Sequence, residues 1–214
     1  QLTDDIIQLF NKRVYDTCAC TAEKVKVYLN DTLLNIKSFE KYTELYTKTK
    51  KVVDVSNERW KVCVTSSEAY SQVSFVNGIN TMKGGKHVDY IMNQITKQIV
   101  AYIEKKKKIK VKPVTIKEQL MIFVNCLIEN PSFDSQTKEY MTTPASRFGS
   151  KCELSNKFID KIIKMGVMES AISLTELKDN KAAKKTDGKK TKSITGIPNF
   201  VDANHAGGKK SKDC

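Results

Sequence analysis

Three short stretches of the chain carry side chains able to meet an anion. The first reads Glu129-Asn130-Pro131-Ser132-Phe133-Asp134-Ser135-Gln136-Thr137-Lys138-Glu139, directly after the apolar run from Met121 to Ile128. Gln136 brings amide donors, Thr137 a hydroxyl, and Lys138 a point charge on a flexible stem. Loop lysines also commonly meet only water, and local chemistry leaves both readings open. The second stretch is basic: Glu104-Lys105-Lys106-Lys107-Lys108-Ile109-Lys110-Val111-Lys112, closed by Pro113. Ammonium groups clustered at a tip can displace counterions from DNA without reading its sequence, and a solvated helix end is the plainer alternative. No aromatics interleave the run, so stacking on a single strand is not favoured. The third stretch is Gly84-Gly85-Lys86. Walker spacing fails here, because five residues separate Gly78 from Gly84 and His87 follows the lysine in place of Ser or Thr. Two glycines turning the chain into a helix explain it, though a helix N-terminus there can still accept an anion.

Other chemistries lack their residues. No Ser/His/Asp order, metal-ligand helix or paired-carboxylate motif stands out, and His87 reads as a capping or structural residue. The six cysteines include no C-x-x-C pair and have only His87 and His205 to help them, which argues against zinc. Cys63 and Cys126 fall in apolar stretches and read as small core residues of a reduced, intracellular chain. No apolar run has the length of a membrane span, so no membrane partner is expected. The 214 residues are 40% hydrophobic and 29% charged, enough to build a core, and the net charge of +13 favours polyanion partners. The chain opens on Gln1 rather than Met and stops at Cys214, as an excised fragment would.

Periodicity supplies the elements that must position these stretches. Helical spacing runs over residues 4–17, with Thr3 or Asp4 as N-cap. Lys24 to Leu29 alternates as a half-buried strand, Asn30-Asp31 makes a turn, and Leu33 to Lys37 returns as a hairpin. Ser38 caps a short helix through Tyr46. Strands are expected at 52–55, 59–65 and 72–76; in the second of these, Trp60, Val62 and Val64 share one face and Lys61, Cys63 and Thr65 the other. Val88, Ile91, Ile95, Ile99 and Tyr102 stripe a helix from Val88 to about Lys107. The strand at 121–128 then closes a βαβ unit. Ser155 starts a helix that Gly166 ends, and another begins at Met168. Lys178 to Lys192 reads as a linker or a solvated helix end, followed by a basic tail.

The ordered motifs resemble one family. Ser74-Phe75-Val76-Asn77-Gly78-Ile79-Asn80-Thr81-Met82-Lys83-Gly84-Gly85-Lys86-His87-Val88-Asp89-Tyr90 is similar to a strand, glycine turn and helix of eukaryotic-type (type IIA) DNA topoisomerase II. Phe123-Val124-Asn125 with Glu129 to Thr142 resembles the stretch holding that family's QTK loop. Arg147-Phe148-Gly149-Ser150 and Leu154-Ser155-Asn156-Lys157-Phe158 continue the likeness, and Gly196-Ile197-Pro198 with residues 202–209 resembles the segment before its TOPRIM domain. His205 stands where the family usually has Asp.

The resemblance implies an α+β transducer domain over residues 1–177, with C-terminal helices from about 154, and a lysine-rich linker and tail over 178–214. Its fold would be a mixed β-sheet with helices packed on one face and a left-handed βαβ crossover, like domain 2 of certain ribosomal proteins; the general rule gives the right hand. A GHKL ATPase domain would precede the chain and TOPRIM follow it, so the fragment alone would be inactive. Lys138, beside Gln136 and Thr137, would contact the γ-phosphate of ATP; ATP and Mg²⁺ would be bound mainly by domains outside the fragment. Lys105, Lys106, Lys107 and Lys108 would touch double-stranded DNA. The full protein would be a homodimer that couples ATP use to clamp closure and strand passage, working in the nucleus, or in a viral factory or virion if its source is a large DNA virus. A stand-alone basic nucleic-acid-binding module is the alternative.

Overall fold

A computed structural model of the protein describes residues 2–187. In chain order the elements are α1 (Asp4–Cys20), β1 (Tyr28–Leu29), β2 (Thr32–Leu33), α2 (Phe39–Thr43), β3 (Lys51–Asn57), β4 (Trp60–Ser66), β5 (Ser71–Val76), β6 (Ile79–Asn80), β7 (Gly84–Gly85), α3 (Lys86–Lys107), α4 (Pro113–Lys117), β8 (Leu120–Cys126), β9 (Tyr140–Met141), α5 (Asn156–Ile162) and α6 (Met168–Asp187). Gly166, at φ 88°, breaks the line between the last two helices. A first compact unit extends to Ala171 and a second begins at Ile172. The tail motif from Gly196 to Lys209, with His205, lies outside the described residues, as does Cys214.

The main sheet has five strands in the order β3-β4-β8-β5-β6. β8 pairs antiparallel with β4 and parallel with β5, so the sheet is mixed and β5–α3–β8 is the crossover expected from the pattern. Turn chemistry falls where the small polar residues stand. Asn30 and Asp31 at φ 46° and 61°, and Asn77 and Gly78 at φ 51° and 79°, take the positive values that a tight antiparallel turn demands. Ser38 and Ser155 cap their helices, accepting from the amides of Lys41 and Phe158 at 3.2 Å each.

Helix cover corrects one expectation. α3 lies on one face, where Trp60 of β4 stacks at 5.7 Å from Tyr90 of α3, and α5 packs beside α3 against β3 and β4. The opposite face is covered too: Ala19 of α1 and Phe39 and Tyr42 of α2 pack on Cys63, Val73, Phe75 and Phe123. Helices on a single face would leave half of β8 in water. Ile122, Phe123 and Val124 are all fully buried, and successive side chains point to opposite sides, so an unbroken apolar strand needs two covers. Asp16 of α1 joins that second layer. It is buried, receives the Tyr42 hydroxyl at 2.6 Å and is neutralised by Lys12 at 2.7 Å.

Elsewhere the boundaries move by local causes. Lys24 to Val27 forms no ladder, and the first hairpin keeps only the pairs Tyr28–Leu33 and Leu29–Thr32. Pro113 does more than close the basic loop: it starts α4, where its missing N–H is harmless. α6 continues through Asp187, past the start of the lysine-rich stretch.

Candidate functional site

Gln136, Thr137 and Lys138 occupy the tip of a small hairpin that leaves the sheet after β8. The two limbs are tied by the Asp134 amide donating to Tyr140 O (3.1 Å), by the Phe133–Met141 bridge and by the Thr142 amide donating to Ser132 O (2.9 Å). Across the tip, the Lys138 amide donates to Ser135 O at 3.1 Å and the Ser135 and Thr137 hydroxyls lie 2.9 Å apart. Lys138 takes the left-handed conformation, φ 57°, which turns the chain back into β9. Gln136 and Thr137 are exposed and Lys138 is half-buried, its ammonium 5.8 Å from the Phe133 ring. Among the described residues Lys138 makes none of the ion pairs.

The base of this hairpin is fixed on both sides. Asn77, in the turn after β5, holds Ile128 through both amide atoms at 2.9 Å. Arg59 bridges Glu129 Oε1 and Gly149 O, also at 2.9 Å. On the exit side, β9 pairs in parallel with the two glycines of β7, Gly84 with Tyr140 and Gly85 with Met141. The backbones meet so closely that a Cβ on Gly85 would sit 2.5 Å from Met141 O. Gly84-Gly85 is therefore a seam between the tip and α3, as well as a turn into the helix. Lys83, just before the seam, donates its amide to Glu139 O at 2.9 Å and its ammonium to Glu139 Oε2 at 2.7 Å. That carboxylate raises the Lys83 pKa, and Asp134 adds a smaller pull in the same direction. Nothing in the spacing of Asn77, Lys83 and Glu139 announces these contacts. The only signal is that each residue flanks a glycine turn or the Gln-Thr-Lys run.

His87 proves structural. It is fully buried in the first turn of α3, with Nε2 3.2 Å from the Thr81 hydroxyl, which in turn bonds the Ser74 hydroxyl at 2.6 Å. Burial lowers its pKa from 6.5 to about 3. Between those values the unfolded chain binds a proton that the folded chain refuses, so stability rises with pH there. We expect stability to be lost as pH falls from 6.5 to about 3, with a limiting slope of about 1.4 kcal/mol per pH unit. His87→Gln should flatten that limb in urea titrations at stepped pH; equal slopes in the two proteins would refute the assignment. Burial also pushes the Cys63 thiol up to about 11 and the Cys152 thiol up to about 12, far from a reactive thiolate.

The basic run ends α3. Lys105, Lys106 and Lys107 form its last turn, Lys108 is the left-handed cap at φ 59°, and all four side chains are exposed. Cations at a helix C-terminus favour its dipole, a structural role compatible with also facing a polyanion. The 22 residues of α3 thus carry the glycine seam at one end and the lysines at the other, about 33 Å apart.

A two-sided α+β module with a Gln-Thr-Lys hairpin strapped to a long helix, and a basic tip at the far end of that helix, defines the class of this protein. Residues 22–192 match the family model described as DNA gyrase B, and the chain belongs to that family. The whole chain is 44% identical to DNA topoisomerase 2 of Drosophila melanogaster and 46% identical to that of Arabidopsis thaliana, covering 16% and 15% of those proteins. The structure superposes on the ATPase region of Saccharomyces cerevisiae topoisomerase II with TM-score 0.76 and 40% identity, over 82% of this chain and 46% of that one. It also superposes on the ATPase and transducer domains of DNA topoisomerase II from Balamuthia mandrillaris with TM-score 0.78 and 43% identity, over 84% of this chain and 46% of that one. The chain therefore spans about a sixth of the length of the curated relatives it matches. A stand-alone basic module finds no support among these relatives.

Proposed function

We propose that this chain is the transducer module of an ATP-dependent type II DNA topoisomerase, in which Lys138 reads the nucleotide and α3 passes its state to the DNA-facing side. The observation that supports this best is the placement of Lys138, in none of the ion pairs among the described residues, on a tip strapped to the start of α3, whose other end carries Lys105 to Lys108. On this reading residues 1–177 are the transducer and 178–214 its basic linker and tail. A GHKL ATPase domain precedes and a TOPRIM domain follows, and the complete enzyme is a nuclear homodimer acting on double-stranded DNA.

The residues fit a terminal phosphate: an ammonium in none of the ion pairs among the described residues, on the same tip as the exposed Gln136 and Thr137. ATP, bound with Mg²⁺ mainly outside this chain, supplies a terminal phosphoryl group whose charge needs compensation during transfer. Lys138 supplies it as a charge-assisted donor, and Gln136 orients the contact. Once the phosphate has left, Lys138 loses its partner, the tip relaxes, and the seam to α3 shifts with it. A γ-phosphate-reactive ATP analogue should label Lys138 in the complete enzyme, and excess ATP should protect against labelling. Labelling elsewhere with Lys138 untouched would count against the reading. At the other end of α3, replacing Lys105, Lys106, Lys107 and Lys108 by Ala should flatten the plot of log K against log salt for duplex binding by ~0.9 for each phosphate no longer neutralised. An unchanged slope would take the run out of the DNA footprint.

A further inference from the structure

We propose that Lys83 is a positioning residue for Lys138: it holds the Glu139 carboxylate, which anchors the exit of the tip and keeps that carboxylate from pairing with Lys138 itself. The inference deepens the functional reading above and rests on its assignment of Lys138 to the terminal phosphate.

The seam that fastens the tip to α3 is made of two glycines, Gly84 and Gly85, paired with Tyr140 and Met141. Its β7 side therefore has no side chains with which to grip. The residue before it supplies the grip. Lys83 takes Glu139 at two points, backbone to backbone at 2.9 Å and ammonium to carboxylate at 2.7 Å. Asp134, on the entry limb of the same hairpin, also attracts the Lys83 ammonium.

Glu139 is the residue next to Lys138. Without a partner of its own, its carboxylate would be an anion one residue away, able to compete with a phosphate for the Lys138 ammonium. Lys83 removes that competitor by binding it. The Lys83 side chain is 67% exposed and that of Glu139 30% exposed, so the pair works in a largely aqueous setting and its effect is correspondingly small.

The test is nucleotide binding by the complete enzyme that carries this chain, comparing a non-hydrolysable ATP analogue with ADP, which lacks the group Lys138 meets. Lys83→Met should weaken the analogue by about two- to fivefold, the size an exposed pair supplies, and leave ADP unchanged. Glu139→Gln loses the anchor but creates no free carboxylate, so it should weaken the analogue less. In the double variant Lys83→Met/Glu139→Gln the competitor is gone, and affinity should return to the Glu139→Gln value. That non-additivity is the signature of the competition. An unchanged preference in Lys83→Met, parallel loss of both nucleotides, or a double variant as weak as Lys83→Met would each overturn the proposal. Lys138→Ala is the reference. If it lowers the preference while Lys83→Met does not, only the positioning role fails; if Lys138→Ala itself leaves the preference intact, the phosphate assignment fails, and the positioning role with it.

Discussion

Gly85→Ala is expected to lower the stability of the chain by about 3 kcal/mol or more, by adding a steric clash to backbone strain. Gly85 has φ 145° and ψ −171°, a conformation essentially confined to glycine. A Cβ there would meet Met141 O at 2.5 Å, Met141 N at 2.6 Å and Met141 Cα at 2.9 Å, all backbone atoms that cannot rotate aside. Relief requires β9 to leave β7, which frees the exit of the Gln-Thr-Lys tip from α3. Gly166→Ala is the matched control: φ is 88°, but nothing lies within 4 Å of its added Cβ, so conformational strain acts alone, at about 1 kcal/mol. Urea unfolding followed through Trp60, the single tryptophan, resolves the two, because that ring is buried between Tyr90 and Phe148. Equal losses at both glycines would show that the seam is not closely packed.

The same seam marks where sequence reading stops. α3 was legible because Val88, Ile91, Ile95 and Ile99 repeat at helical steps, and all four are buried. The βαβ unit followed from the apolar strands on either side of it. Asn77-Gly78 and Asn30-Asp31 announced their turns through residues that tolerate positive φ. The strands β6, β7 and β9, of two residues each, carry no period and exist only because distant backbone comes alongside. For that reason Gly84-Gly85 reads as a turn, while its partnership with Tyr140 and Met141 stays hidden. Likewise, the apolar run of β8 was visible, but its demand for cover on both faces had to be inferred from burial, and α1 and α2 supply the second cover. Of the candidate site, the three tip residues and the four lysines were singled out by residue type, and their proposed roles came from the family resemblance. Lys83 and Glu139 were not, since a lysine and a glutamate far apart in the chain give no hint that they will meet.

Lys138→Ala in the complete enzyme should lower ATP turnover by about a hundredfold, the usual loss when one preorganised donor to a developing charge is removed. Two features isolate that effect from folding. Lys138 is half-buried at a hairpin tip and in none of the ion pairs among the described residues, so its removal should change stability by no more than about 0.5 kcal/mol. Its φ of 57° strains lysine and alanine alike, so the left-handed backbone drops out of the comparison. DNA cleavage should persist, because the role proposed for Lys138 is contact with the nucleotide and not with the scissile strand, whereas ATP-driven strand passage should fall with turnover. Lys138→Arg separates charge from shape. It keeps the positive charge but replaces a compact ammonium with a planar fork on a different stem, so partial recovery points to charge and no recovery to placement. Full relaxation activity in Lys138→Ala would mean that the tip meets only water, and the link from nucleotide to α3 would then have to start at another residue.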